Sequence, residues 1–561
     1  MSSTSVPVIK KPKRRGLPKT KSGCRTCKQR RVKCGEERPF CFRCVKFGVP
    51  CDGYGVLDNP ANLPGRNSLI LPKSPNAALP LPLLTNPNSS LFNAAQESRY
   101  FDVFCNKTAF DILPSFDSSA TALRQVILQT CESEPSIRHA VVALGALDLA
   151  ARSLRDFSPM SLDAWRETPL QHHQNALKQY ATAIKAMRQA ALTRKQDLRT
   201  TLLTCLVIMC FEAWNGNQEL AIKQIQMGFK LIQAWREEEV DEKDERRFVG
   251  LESAMSDTVE DELVRVFKRL DVQAISFSSE STPERHALVL SGERALLDRM
   301  PQVFTSARDA ATYANALVRQ TMRFFSEQIP LPIPPPPQIY FPMHGWWGVK
   351  IPHVVSIQQR IMTDVLRWKA ADAPFWRQLN IEAQDPTQDH SEDYFLASVS
   401  RMHIQILWIG LMTICMDNES QFDQYFDVFR EVVDLAEYTL EVQNAKSKTP
   451  KFTFDSLVVI PLYMVSFKCR DPIIRRKAVR LLLDNPRREG VWDSVLGGKM
   501  GEWATTVEED FMEDGRVPEW ARIHWVALER DKEQKSAMLS CEQRVGPYSD
   551  EVVMRRKIIT W

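Results

Sequence analysis

From about Glu97 onward, apolar side chains recur with the spacing of amphipathic helices. After Pro135, a first stripe runs through Ala140, Val141, Leu144 and Leu147, and a second through Leu177, Tyr180, Ile184 and Met187. The run from Leu202 to Phe211 is apolar on every side, which predicts a buried helix. Asn215-Gly216-Asn217 ends it, and Leu220, Ile222, Ile225, Met227, Phe229, Leu231 and Ile232 begin a partner, so this stretch predicts an αα-hairpin. Further helices are predicted at about 256–277, 289–299, 305–327, 394–416, 421–443, 455–467 and 472–484, with a Pro-rich surface loop from Pro330 to Pro342. Strand-like alternation is scarce and no strict repeat period emerges. The expected fold is mainly α, with residues 97–561 forming one large all-α domain of stacked helical hairpins.

Upstream the pattern is different. Residues 54–96 hold seven Pro and seven Asn but only three charged residues, Asp58, Arg66 and Lys73, so a disordered linker is expected. Prolines break up its nine leucines, which leaves no heptad seam for a zipper dimer. Residues 22–53 form a cysteine-dense unit, and 1–21 a disordered basic arm. The whole chain, 561 residues with 44% hydrophobic and 25% charged, is too long for one compact core, and its composition excludes a fibrous or wholly disordered protein. The longest uncharged stretch able to be helical, Met402–Met416, is 15 residues long, short of the about 20 needed to span a bilayer. No membrane span is therefore expected. The basic, Ser-rich N-terminus lacks the apolar region of a signal peptide, so the 13 cysteines are expected to stay reduced.

Charge separates the two ends. Residues 1–51 carry 15 Lys or Arg against two acids, Glu36 and Glu37, a balance of +13, whereas the remainder carries 58 against 67, a balance of −9. Such concentrated positive charge suits a phosphate backbone whose counterions are released on binding. A membrane patch would also need an apolar helix face or a lipidation site, and neither is present there.

Within the basic end, Cys24, Cys27, Cys34, Cys41, Cys44 and Cys51 are spaced C-x2-C-x6-C-x6-C-x2-C-x6-C, two near-identical halves. Structural zinc takes four tetrahedral ligands, so six thiolates satisfy two ions only if two sulfurs bridge. Two Zn2+ ions and six thiolates leave a charge of about −2, which the surrounding Lys and Arg offset, on a core too small to fold without metal.

These residues resemble the fungal Zn2Cys6 binuclear zinc cluster transcription factors. The likeness includes the basic run Lys28-Gln29-Arg30-Arg31-Val32-Lys33 and Pro39 before the fourth cysteine. It implies that Cys24 and Cys41 bridge, that Cys27 and Cys34 complete one site, and that Cys44 and Cys51 complete the other. It implies also that the first short helix enters the DNA major groove over a CGG-type triplet with Arg30 and Arg31 at the base-reading positions. An arginine fork on guanine O6 and N7 is worth about 1–3 kcal/mol of discrimination. Lys28, Lys33, Arg43 and Lys46 are expected on phosphates. Further along, Arg99-Tyr100-Phe101, Ala143 to Leu147, Cys210-Phe211-Glu212 with Gly216-Asn217, and the stretch from Cys469 through Arg475-Arg476 to Asp493 resemble the fungal-specific regulatory domain attached to such clusters.

The basic cluster Lys10, Lys11, Lys13, Arg14 and Arg15 is of nuclear-import type, with phosphate binding a compatible second use. Cysteines 105, 131, 205, 210, 415, 469 and 541 lack ligand spacing and read as core residues, and His172-His173 reads as a solvated helix start. The acidic stretches Glu237–Glu245 and Glu508–Asp514 read as solvated faces. No G-x-S-x-G, G-x4-G-K-[ST] or H-E-x-x-H motif supports catalysis. The expectation is a nuclear, zinc-dependent regulator of RNA polymerase II transcription that binds double-stranded DNA, is brought in by the import machinery and is not an enzyme. Coactivators or corepressors, and a homodimer that no zipper indicates, stay open as partners. A zinc-stabilised adaptor on RNA or chromatin, with the helical domain as protein scaffold, is the main rival; an enzyme with an appended zinc module is the lesser one.

Overall fold

The computed structural model describes residues 22–52, 91–92, 94–112, 118–155, 168–193, 197–240, 259–275, 293–328, 352–382, 391–414, 418–446, 451–523, 526–531 and 536–560. The chain divides into two compact units, Met1–Leu84 and Thr85–Trp561. The described part of the first holds two short helices, α1 (Arg25–Gln29) and α2 (Phe42–Lys46). The basic arm and almost all of the linker lie outside the described residues.

The second unit is mainly helical. It opens with α3 (Ala95–Val103), a π-helical turn (Phe104–Thr108) and α4 (Ala109–Ile112), then α5 (Ser118–Ser133), α6 (Pro135–Arg155) and α7 (Pro169–Thr193). The predicted hairpin follows as α8 (Leu198–Asn215) and α9 (Gln218–Val240). Asp197 caps α8 by accepting from Thr200 N–H at 3.3 Å, and Gly216, at φ +93°, stops it. Its N–H and that of Asn217 then close back on Ala213 O (3.2 Å) and Glu212 O (2.7 Å), the bonding pattern of a Schellman stop. The helices α10 (Val259–Ile275), α11 (293–298) and α12 (Ala307–Gln328) come next, followed by α13 (Pro352–Glu382), α14 (Ser391–Thr413) and α15 (Phe426–Lys446). The last three are α16 (Val459–Lys468), α17 (Pro472–Asp484) and α18 (Ser494–Glu509). One continuous apolar core runs from Tyr100 to Ile559.

The sequence reading assigned no helix at α13 or at α18. The 31-residue α13 starts on Pro352, whose missing N–H costs nothing at a first turn, and carries Pro374 inside. In α18, Gly497, Gly498 and Gly501 argue locally against a helix. They are packing devices: a Cβ on Gly498 would meet Leu483 Cδ2 at 2.7 Å, and one on Gly501 would meet Ser466 Oγ at 2.5 Å, so small residues let α18 lie against α16 and α17. The register of α7 differs too. Ala176 and Ala183 are its buried apolar positions and Leu177 is exposed, because alanines let α7 approach α6 closely.

The domain is not helical to its end, which corrects the all-α reading of residues 97–561. Strands β1 (Lys451–Thr453), β2 (Arg487–Glu489) and β3 (Trp492–Asp493) form a small sheet, β1 parallel and β3 antiparallel to β2. Strands β4 (Ala527–Asp531), β5 (Ser536–Arg544) and β6 (Val552–Thr560) form an antiparallel meander in that order. The inward positions of β5 are Ala537, Leu539, Cys541 and Gln543, a period-two pattern too small and too polar to stand out.

Burial also revises several polar readings. His172 is buried rather than solvated, with Nδ1 at 3.0 Å from the hydroxyl of Tyr100, whose ring it meets edge-on. Glu508, predicted on a solvated face, is fully buried between Arg470 (2.9 Å) and Arg475 (2.7 Å), while Arg470 also reaches Glu419 (2.9 Å), as does Lys468 (2.7 Å). Burial alone would raise the Glu508 pKa, but the two guanidiniums hold it below the ordinary carboxylate value. The network therefore joins α16, α17 and α18 to the 3-10 turn Glu419–Tyr425. Glu489 is also fully buried and caps α16, accepting from the N–H groups of Leu457, Val458 and Val459 at 2.7–3.1 Å. By length and composition α14 passes for a membrane span, but most of it is buried in the core and its Arg401 pairs with Asp372 and Glu431.

Candidate metal centre and nucleic-acid interface

The six cysteines of the first unit come together. Cys131, Cys205, Cys210, Cys469 and Cys541 are buried core residues, Cys105 is half-buried, and Cys415 lies outside the described residues. In the first unit the sulfurs fall into two overlapping sets of four, Cys24, Cys27, Cys34 and Cys41, and Cys24, Cys41, Cys44 and Cys51, with all ligand atoms of a set within 4.8 Å of one another. Cys24 and Cys41 belong to both. Sulfur separations are 3.6 Å for Cys24–Cys41 and Cys27–Cys41, and 3.8 Å for Cys24–Cys44. A zinc tetrahedron with bonds of about 2.3 Å has edges of about 3.8 Å, so the donor set fits that ion. Burial pushes the thiols of Cys24, Cys27 and Cys44 up, Cys44 to about 12; packed this tightly, the sulfurs become thiolates only opposite a cation.

Local hydrogen bonds repeat in both halves with an offset of 17 residues. Cys24 Sγ accepts from Cys27 N–H (3.4 Å) and caps α1, and Cys41 Sγ accepts from Cys44 N–H (3.3 Å) and caps α2. Cys24 N–H donates to Cys34 Sγ (3.3 Å), as Cys41 N–H does to Cys51 Sγ (3.4 Å). Val32 and Val49 each return an N–H to the second cysteine's carbonyl at 3.1 Å. The two halves are one motif folded twice. Between them Thr26 Oγ1 accepts from Asp52 N–H (2.9 Å) and lies 2.9 Å from Asp52 Oδ2 and 3.1 Å from Pro50 O. Phe42 N–H donates to Glu37 Oε2 at 2.9 Å. Sequence reasoning gave these structural roles to none of Thr26, Asp52 and Glu37; a hydroxyl between two cysteines was the only available signal.

The basic residues are displayed rather than buried. Lys28 lies on α1, Arg43 and Lys46 on α2, and all of them, with Arg30, Arg31 and Lys33, are exposed. Contrary to a simple helix reading, α1 ends at Gln29. Arg30 is its cap, and Arg31 turns into the left-handed region at φ +53°. At the equivalent place in the second half the chain uses Gly48, at φ +64°. The guanidinium of Arg30 stands 5.5 Å from the ring centre of Phe47, its own counterpart. The import-type residues lie outside the described part.

The regulatory-domain motifs are brought into packing contacts: Glu212 accepts from the Tyr180 hydroxyl, and Phe211 stacks on Tyr180 at 4.0 Å. They create no cluster of catalytic groups among the described residues.

Comparison with known proteins agrees with this geometry. Residues 22–59 match the fungal Zn(2)-Cys(6) binuclear cluster domain and residues 99–293 the fungal specific transcription factor domain. The chain is 25% identical over 224 residues to the Aspercryptin biosynthesis cluster-specific transcription regulator atnN of Emericella nidulans, covering 38% of this chain and 35% of that one. It is 26% identical over 213 residues to the Transcription regulator lscL of Purpureocillium lilacinum, 37% and 48% of the two chains. Over 45 residues, 8% of this chain and 5% of the other, it is 49% identical to the Arginine metabolism regulation protein II of Saccharomyces cerevisiae. The matches thus span between a third and a half of the first two relatives. No solved structure matches.

Proposed function

We propose that this chain, a zinc-binding fungal Zn(2)-Cys(6) transcription regulator by its two matched domains, reads a CGG-type triplet in the DNA major groove with Arg30 and Arg31 and regulates RNA polymerase II transcription in the nucleus. The observation that carries the reading is the pair of overlapping sulfur sets sharing Cys24 and Cys41, which hold the arginine-bearing end of α1 out from a rigid centre. Cys24, Cys27, Cys34 and Cys41 would hold one zinc ion, and Cys24, Cys41, Cys44 and Cys51 the other. Bound zinc supplies the folding free energy that so small a core lacks.

The remaining work falls to the side chains. Lys28, Lys33, Arg43 and Lys46 contact phosphates and set register, supplying affinity that is indifferent to sequence. Arg30 and Arg31 present planar forks whose paired N–H groups match guanine O6 and N7, an arrangement that other base pairs do not offer. Lys10, Lys11, Lys13, Arg14 and Arg15 engage the import machinery, and the helical unit governs output.

Selection of bound duplexes from a random pool, with zinc measured on the same reduced protein, tests this directly. The expected result is two zinc ions per chain, enrichment of a CGG-type triplet, and affinity that falls steeply with salt. Enrichment of no sequence, or one zinc ion or none in the reduced protein, overturns it; equal weakening on all sequences after Arg31→Ala would favour the RNA- or chromatin-binding adaptor.

A further inference from the structure

The two arginines of the DNA reading are not held alike. Arg30 and Phe47 are counterparts, 17 positions apart, each the cap that ends the short helix of its half. The backbone of Arg30 is fixed by its N–H, which donates to Thr26 O at 3.1 Å, and that of Phe47 by its N–H, which donates to Arg43 O at 3.3 Å. The sulfurs that both halves share bring the two caps together, and the guanidinium of Arg30 comes to stand 5.5 Å from the ring centre of Phe47. The ring is no part of the metal-binding core. Val49 and Cys51 are the partly buried side chains packed on the inner sulfurs, whereas Phe47 is 58% exposed. Among the described residues no carboxylate pairs with Arg30 and no ring faces Arg31.

We infer that Phe47 is a positioning residue for base recognition: its ring, supplied by the second half, directs the Arg30 fork toward guanine, and the inference rests on the DNA reading above. A cation is drawn to the face of an aromatic ring, while the N–H groups of a guanidinium lie in the plane of the fork and reach outward. The ring therefore holds the charge without competing for the donors that guanine O6 and N7 require. A long side chain otherwise gives up its rotamer freedom only on reaching the base. The ring takes part of that ordering before DNA arrives, so less of it is charged against the guanine contact. Non-specific binding through phosphates uses neither fork, which confines the effect to sequence preference. It is confined also to one base: Arg30 is steadied by the second half, whereas Arg31 is set by its own turn at φ +53°.

The test measures binding of the full zinc-loaded protein to the selected triplet, to duplexes with each guanine replaced in turn, and to an unrelated duplex. Arg30→Ala first identifies the guanine that Arg30 reads. Phe47→Leu, which keeps an apolar side chain and removes the ring, is expected to lower preference for that guanine by about two- to fivefold, the worth of an exposed cation–π contact. Preference at the other guanine, affinity for the unrelated duplex, its salt dependence and the zinc content stay unchanged, and Phe47→Tyr, which keeps the ring, keeps the preference. In an Arg30→Ala background Phe47→Leu has no further effect. Full preference in Phe47→Leu, an equal loss at both guanines or on the unrelated duplex, the same loss without Arg30, a loss in Phe47→Tyr, or release of zinc by Phe47→Leu each overturns the inference. If the unaltered protein prefers no triplet, or Arg30→Ala keeps every preference, the DNA reading itself fails and the inference falls with it.

Discussion

Replacing Arg31 by glycine separates what the backbone wants at this position from what DNA wants. Arg31 holds φ +53°, where an L side chain crowds the following carbonyl at a cost of about 1–2 kcal/mol. Gly48 takes the same turn at φ +64° without that cost. Arg31→Gly relieves the crowding but frees the unfolded chain by roughly 0.5–1 kcal/mol, so the cluster is expected to be unchanged or up to about 1.5 kcal/mol more stable. DNA recognition moves the other way. Loss of one bidentate guanine contact, about 1–3 kcal/mol, lowers the preference for the selected triplet over one with its guanines replaced by about 5- to 150-fold. Fluorescence anisotropy on the two duplexes gives the preference, and the chelator concentration that releases zinc gives the stability. An unchanged preference, equal weakening on both duplexes, or earlier zinc release would show that Arg31 is placed there for folding or for phosphate, and the argument from its strained turn would fail.

Stripping zinc with a chelator is expected to unfold residues 22–52 and abolish triplet recognition while the helical unit keeps its circular dichroism; loss of both signals together contradicts two separate units. Glu508→Ala leaves Arg475 buried without its carboxylate and Arg470 with Glu419 alone, and should cost about 3–5 kcal/mol in denaturant melts, whereas a change under about 1 kcal/mol would show that the network is dispensable. His403 is half-buried on α14 with Nε2 at 3.0 Å from Ser456 O, and desolvation lowers its pKa from 6.5 to about 4. The unfolded chain therefore takes up a proton that the folded one refuses. The associated stability is complete above about pH 6.5 and is lost as pH falls toward 4, by about 3 kcal/mol. His403→Gln, whose amide can still donate to that carbonyl, should flatten this part of the pH profile; an identical slope in both proteins rules the histidine out.

What the sequence made legible was whatever a single local rule decides. Six cysteines at fixed spacing admit few metal arrangements, and Asn215-Gly216-Asn217 and Asp471-Pro472 stop and start helices by backbone chemistry alone. The end of α1 was not legible, because Arg31 enters the left-handed region only once the cysteines have fixed the loop around it. The glycines of α18 and the alanines of α7 misled for a related reason: their value lies in a neighbour's approach, which no window of sequence contains. Glu508 looked solvated since its partners stand 38 and 33 positions away, at Arg470 and Arg475. The meander β4–β6 was hidden by an inward face of alanine, cysteine and glutamine.

The hairpin turn of α8 and α9 is bound to a much later part of the chain. Gln218 donates to Val491 O and Arg488 to Ala213 O at 2.8 Å, and from α10 Gln273 donates to Phe454 O at 2.8 Å. The family match that stops at 293 consequently marks a region of recognisable ancestry and not a part that can be lifted out. A chimera joined after residue 293 would shear those amide and guanidinium ties and bare the face they hold shut. The smallest transplantable piece is the whole stretch from Ala95 to Thr560, and a swap of regulatory bodies between such proteins should be spliced ahead of α3.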